Sequence, residues 1–419
     1  MSRICGYIGR AAILVAVPFA VFFLVPSLSP AQEHDQSVDY QEYLAFFERV
    51  YEKMQAEYYI PVQKENYDRF LKVFDEKIYG ELKDTGKIQD YVKWRSAAFL
   101  VDFLKDPEDR FSKFFPPQVA QEYEQTVLGV RINLGIEGEL GEDGYLITRL
   151  EPRGNLYIKG LRVNDRILKI DGQSVLKMTA EKIEELLTPE KGAFVKLTYF
   201  DANEKVEKTV DVESTEYYQQ AVFLEPVSAP DVFCLRIERF NRKTGEDMFN
   251  YLRFISQQSD HPDLIIDLRD NPGGPPLAAR EISSFFLTPD EEFAYFQKRD
   301  DPKALLTVPE IPEELRFKGR IVILINEKSG SASELFSGVM KYRDRAFLMG
   351  ENSAGQVFLK SMFFMDDESM LLLVTGRGHY PDGEVFAFDG VKPDKYVSEE
   401  RDLVQYAANF LVYMRSQKK

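Results

Sequence analysis

Cysteine is nearly missing from this chain, with two residues in 419, Cys5 and Cys234. That excludes a disulfide framework and a cysteine-based structural zinc site. Histidine is scarce too: His34, His261 and His379 are the three copies, and no two have the spacing of a metal pair, so neither metal nor cofactor is expected. Basic residues are outnumbered, 53 Lys and Arg against 69 Asp and Glu. The formal net charge of −16 argues against nucleic acid and anionic lipid surfaces as partners. No internal repeat or low-complexity tract is present.

What remains is an ordinary soluble balance, 44% hydrophobic and 29% charged, in a chain with room for two or three domains. Arg3 and Arg10 precede an apolar run from Ala11 to Val25, followed by Pro26-Ser27-Leu28-Ser29-Pro30-Ala31. A charged start, a short apolar core and a small-x-small site before Gln32 predict a signal peptide over 1–31. The working domains are then exported, periplasmic or otherwise extracytoplasmic. The alternative is that 11–25 stays as an uncleaved membrane anchor. Cys5 falls in that segment, and Cys234, in Val232-Phe233-Cys234-Leu235-Arg236-Ile237, reads as a core residue.

Residues 36–120 read as helical, with apolar residues recurring at three-to-four spacing through Tyr43-Leu44, Phe46-Phe47, Val50-Tyr51 and Phe70-Leu71. Between 125 and 213 the runs Tyr145-Leu146-Ile147-Thr148 and Phe194-Val195-Lys196-Leu197-Thr198-Tyr199 alternate as strands do. Thr179 stands at the start of an amphipathic helix running to Leu187, and Asn164 occupies a turn that asks for left-handed backbone. From 216 to 400 strand and helix patterns alternate, as in an α/β layer, and 401–419 closes with an amphipathic helix.

Two loops in that layer carry chemistry. The apolar run Ile321-Val322-Ile323-Leu324-Ile325 leads to Gly330-Ser331-Ala332-Ser333-Glu334 and then a helical pattern. A hydroxyl is lifted there to the mouth of a sheet beside free helix N–H groups, although the same Ser-x-x-Glu pattern is also a plain helix cap. Leu264-Ile265-Ile266-Asp267-Leu268-Arg269-Asp270-Asn271-Pro272-Gly273-Gly274 is a second buried strand ending in a glycine turn. If both strands are parallel neighbours, nucleophile and oxyanion donors converge at the carboxyl edge of one sheet. Arg269 and Asp270 read as an ion pair closing the glycine turn.

Six segments stand in one order: 106–112, Gly160-Leu161-Arg162-Val163-Asn164-Asp165, 267–274, 330–334, Gly350-Glu351, and Gly390-Val391-Lys392-Pro393-Asp394. From about residue 40 onward the chain resembles the C-terminal processing peptidases, tail-specific serine proteases with a PDZ domain. The resemblance implies a multidomain α/β fold: a helical N-terminal region, a PDZ-like β/α domain and an α/β protease domain with a mainly parallel sheet. It implies Ser331 as nucleophile, and the N–H groups of Ala332 and of Gly273 or Gly274 as oxyanion donors. The PDZ carboxylate loop falls near Leu128, Gly129 and Val130, and binds a chain end as an added edge strand. The partner implied is a protein or peptide with a free C-terminal tail. The helical region either frames the protease or makes a homo-oligomer contact.

One position departs from the family. The general base should be a lysine 25 residues after the nucleophile, and that position holds Gln356. The glutamine usually found four residues further on is here Lys360. An amide has no usable basicity. If Gln356 and Lys360 share a strand, they face the same side about 13 Å apart, and Lys360 has to reach back to Ser331. Otherwise the dyad is lost, leaving an inactive peptide-binding scaffold or another base. Among the histidines, His261 precedes its strand at the wrong edge of the sheet, while His379, read as a loop residue after 371–374, can return to the site.

Overall fold

The computed structural model describes residues 40–79, 90–300, 303–398 and 402–417. The expected signal segment, with Cys5 and His34, lies outside the described residues.

The N-terminal region is helical because its apolar side chains fall on one stripe. In α1 (Tyr40–Glu57) the buried residues are Tyr43, Phe46, Phe47, Val50, Tyr51 and Met54, at the three-to-four spacing of one helix face. They pack against Tyr67 and Phe70 of α2 (Lys64–Val73) and against Leu100 of α3 (Asp90–Leu104). A short strand, β1 (Lys113–Phe115), and α4 (Pro117–Leu128) follow; α4 ends on Gly129 in left-handed conformation, φ 67°.

Next comes the PDZ-like unit. Strand β2 (Val130–Asn133) stands apart from its main sheet, which is built from β3 (Ile136–Gly141), β4 (Gly144–Leu150), β5 (Arg166–Ile170), β6 (Gln173–Ser174), β7 (Phe194–Asp201) and β8 (Val206–Glu213). The order is β3-β4-β5-β7-β8, with β6 on β5, so β3 is an edge. Helix α5 (Ala180–Leu187) buries Ile183 and Leu187 in the unit's core. Thr179 caps it as the sequence suggests, accepting from the Lys182 N–H at 3.3 Å, and Asn164 takes the left-handed turn at φ 77°. Strand β9 (Thr215–Tyr218) returns to pair antiparallel with β2.

The third unit is the α/β layer. It contains β10 (Val222–Glu225), β11 (Val232–Ile237), α6 (Thr244–Gln258), β12 (Asp263–Asp267), α7 (Pro276–Ser283), β13 (Glu292–Lys298), β14 (Ala304–Thr307), β15 (Ile321–Ile325), α8 (Ala332–Tyr342), β16 (Phe347–Gly350), β17 (Phe358–Phe364), β18 (Met370–His379), β19 (Lys395–Tyr396) and α9 (Leu403–Ser416). Its main sheet runs β10-β11-β12-β15-β16-β19, parallel except for β10. All residues of β12 and β15 are buried, as a parallel strand covered on both faces requires. Side chains of α6, α7 and α8 cover one face, and α9 covers the other, where Cys234 lies buried in the core.

A second, antiparallel sheet centres on β18, which pairs with β17 on one side and with β1 and β13 on the other. The register Lys113↔Leu372 stitches the N-terminal region into the protease unit. His379 belongs to this strand, which corrects its reading as a loop residue. Gly376 and Gly378 weaken the strand signal, but their small size lets β18 run close against Gln297 and Val357.

Candidate active site

Because β12 and β15 are adjacent and parallel, in register Leu264↔Ile321, their carboxyl ends lie side by side. The two loops leaving them are sewn together. The Gly330 N–H donates to the Asn271 carbonyl at 2.9 Å, the Ser333 hydroxyl to the same carbonyl at 2.9 Å, and the Ser329 hydroxyl to the Leu268 carbonyl at 2.8 Å. Gly273, at φ 99°, packs so closely that a Cβ there would stand 2.8 Å from both the Ala332 nitrogen and the Ser331 Cβ. Only glycine fits.

Ser331 sits at the tip of the second loop with φ 52° and ψ −111°, a sparsely populated conformation for a residue with a side chain. Glu334, on the first turn of α8, helps hold it there. This carboxylate is fully buried and accepts from four donors: Ser331 N–H (2.8 Å), Gln356 N–H (2.7 Å), Ser353 hydroxyl (2.7 Å) and Gly355 N–H (2.6 Å). Burial pushes its pKa up, and the Ser353, Gln356, Ser331 and Gly355 donors pull against that rise. Glu334 therefore ties the nucleophile turn to the 353–356 loop. The Ser-x-x-Glu spacing carried this signal in the sequence, as the cap pattern.

Of the three proposed oxyanion donors, two amides stay unspent. Ala332 N–H and Gly274 N–H have no hydrogen-bond partner among the described residues. The Gly273 N–H instead donates to its neighbour Asn271 Oδ1 at 2.9 Å, which itself tightens the turn. The expected Arg269–Asp270 ion pair is absent. Arg269 grips Asp267, two residues back on the end of β12, while Asp270 turns away at φ 60° and meets Lys328 at 3.2 Å.

Gln356 and Lys360 do not share a strand. Gln356 precedes β17, its carbonyl accepting the Phe358 N–H in a tight turn, and its side-chain oxygen would lie 3.4 Å from a Cβ on Gly330. Lys360 is the third residue of β17, next to a register shift at Leu359/Lys360. The turn replaces the straight rise that an extended segment would impose, while the extra residue of the register shift, Thr375, falls on β18. Among the described residues the Lys360 amine makes no hydrogen bond or ion pair. It lies 4.5 Å from the centroid of the Phe111 ring. Burial pushes its pKa down from the ordinary lysine value, opposed by the charges of Glu334 and Asp109.

His379 is engaged elsewhere. Its ring stacks on Tyr295 at 4.7 Å, and its Nδ1 lies 3.2 Å from the Gly383 carbonyl. His261 sits beside Arg415 at the amino end of β12, opposite the loops.

The expected carboxylate loop is also displaced. Leu128 and Gly129 end α4 and Val130 starts β2, whose partner is Tyr218 of β9. None of the three lines the groove of the PDZ-like unit. That groove, a cavity of about 500 Å³, lies between edge strand β3 and α5 and is lined by Gly135, Ile136, Gly138, Glu184 and Leu187, among others. The turn Asn133-Leu134-Gly135-Ile136 leads into β3 at this cavity, with Gly135 at φ 75°. A glycine between apolar residues was the available signal.

Comparison with known proteins agrees with this geometry. Residues 231–397 match the model of peptidase family S41, and residues 118–199 match that of the PDZ domain. A "Probable CtpA-like serine protease" of Staphylococcus haemolyticus (strain JCSC1435) is 24% identical over 314 residues, covering 74% of this chain and 62% of the relative. The protein of the same description from Staphylococcus aureus (strain COL) is 26% identical over 322 residues, covering 76% and 63%. The chain thus spans under two thirds of the length of these relatives. Among solved structures, a lipoprotein from Streptococcus agalactiae shares the fold with a TM-score of 0.51 at 12% identity, covering 92% of this chain and 100% of that one. The photosystem II D1 C-terminal processing protease gives a TM-score of 0.48 at 18% identity, covering 85% and 93%. The chain thus carries a segment similar to peptidase family S41, preceded by one similar to the PDZ domain, the order in which its sequence resembles the C-terminal processing peptidases.

Proposed function

We propose that this chain is an exported serine endopeptidase that cleaves proteins engaged by their C-terminal tails. A tail adds to the free edge of β3 in the PDZ groove, and the chain leading from it is delivered to Ser331. Ser331 Oγ attacks the scissile carbonyl carbon while the Lys360 amine takes the hydroxyl proton. The N–H groups of Ala332 and Gly274 hold the oxyanion, and the Lys360 ammonium returns the proton to the leaving amine. Water, deprotonated in turn by Lys360, releases the acyl group. Gln356, beside the nucleophile turn, orients and takes no proton.

The observation that carries this reading is the state of Lys360. Among the described residues its amine makes no hydrogen bond or ion pair, and burial lowers its pKa from the ordinary value against the charge of Glu334, the carboxylate that hydrogen-bonds the nucleophile's own N–H. A base needs that poise to act near neutral pH. The alternative of an inactive scaffold, raised by Gln356, has no support among relatives described as serine proteases.

The test is turnover of an unfolded protein with an apolar C-terminal tail. The parent should cleave it, and Ser331→Ala and Lys360→Ala should each lose roughly 10²-fold or more. Undiminished cleavage by either variant refutes the assignment, as does an inactive parent that gains activity in Gln356→Lys.

A further inference from the structure

The 106–112 turn belongs to the N-terminal region, yet it reaches the candidate site. Its position is fixed from several sides. Tyr58 donates its hydroxyl to Asp109 Oδ2 at 2.8 Å, and Asp109 Oδ1 accepts the N–H groups of Phe111 at 2.8 Å and Ser112 at 3.0 Å. The Ser112 hydroxyl accepts the Val374 N–H at 2.9 Å, and Val374 is the residue paired with Lys360 across β17 and β18. Phe358 and Lys360, two apart on β17, share a face of that strand. The Phe111 ring covers both, 5.4 Å from the Phe358 ring and 4.5 Å from the Lys360 amine.

We propose that Phe111 is a positioning residue for Lys360: its ring face fixes where the amine lies and holds it out of water. The inference rests on the assignment of Lys360 as base. The charged groups facing this amine are Glu334 from α8 and Asp109 from the turn itself. Arg377, on β18, is directed instead over the Phe388 ring at 4.2 Å. An aromatic face attracts the protonated amine, while the bulk of the ring excludes the water that would stabilise it. These two effects of one side chain have opposite signs, and substitution separates them.

Leucine keeps the apolar cover and removes the ring quadrupole. In Phe111→Leu the acid limb of the kcat/KM profile moves to lower pH, by about one unit. Alanine admits water, so in Phe111→Ala the limb moves to higher pH. Phe111→Tyr keeps the face and leaves the limb in place. The same order should appear without turnover in the full chain carrying Ser331→Ala, as the pH dependence of Lys360 acylation by an amine reagent, read by mass spectrometry. If Lys360→Ala still turns over substrate, the base assignment falls and this inference with it. If Lys360→Ala is inactive but Leu and Ala at 111 leave both profiles unmoved, or move them the same way, the role of Phe111 alone is overturned.

Discussion

Glu334→Gln changes one atom and tests the centre of the site. The carboxylate faces four donors, two on each oxygen: Ser331 and Gln356 N–H on Oε2, Ser353 hydroxyl and Gly355 N–H on Oε1. A glutamine amide offers one acceptor oxygen and one NH2 group. Turned toward Ser331 and Gln356, its NH2 opposes two backbone donors that cannot rotate. Turned the other way, it opposes the Gly355 N–H, and the Ser353 hydroxyl must swing round to accept. The second arrangement is cheaper, and it leaves one buried N–H unsatisfied. Such a group costs about 1–3 kcal/mol, and the surviving bonds lose their charge assistance. The expected destabilisation is about 2–4 kcal/mol, read by urea unfolding in the Ser331→Ala background to prevent self-cleavage. Because that arrangement still holds the Ser331 N–H, Gln should retain more turnover than Ala in the otherwise native chain. Glu334→Ala, which frees all four donors and the strained Ser331 backbone, should be worse on both counts. A Gln variant within about 0.5 kcal/mol of its parent, or an Ala variant no worse than Gln, would refute the account.

Gly273→Ala should abolish turnover and lower the melting temperature, because its Cβ meets backbone atoms of the Ser331 loop at 2.5 and 2.8 Å and nothing there can yield; near-normal activity would place the glycine loop elsewhere. Away from the site, Asp367 takes hydrogen bonds from Lys93, Ser369 and Trp94. Burial raises its pKa, but these partners outweigh it and hold the group at about 2. Its folded value lies below the unfolded one, so its stabilising contribution is full above about pH 4 and is lost as pH falls through about 2. Asp367→Asn should therefore cost about 1–2 kcal/mol at pH 7 and almost nothing near pH 2, measured by denaturation across that range. A cost independent of pH would show that packing rather than charge is at stake.

The parts of this molecule legible in the sequence are those set by local pattern. The unbroken aliphatic runs of β12 and β15 announced buried parallel strands, and the glycine and serine turns after them announced where the strands end. The cap at Thr179, the left-handed Asn164 and the buried Cys234 followed from residue type alone. What escaped depends on partners distant in sequence or on irregular backbone. The tight turn between Gln356 and Lys360 is one that no periodicity encodes. Arg269 chose Asp267 over Asp270 because the loop turns Asp270 away. His379 was hidden in a strand whose glycines read as loop, and the groove loop was misplaced because the helix before it runs on to Leu128.

The seat of β1 beside β18 bears on where this protein can be cut. The segment matching the peptidase family, 231–397, contains every atom assigned to the chemistry, yet it is not a self-contained folding unit. Excised, it would lose the strand at Lys113–Phe115 and leave a stretch of β18 with open hydrogen-bonding groups and a bare aliphatic face. Such an edge pairs readily with the next copy. The helices ahead of the PDZ domain thus act as a built-in guard against aggregation, and the nucleophile is inherited together with its cover.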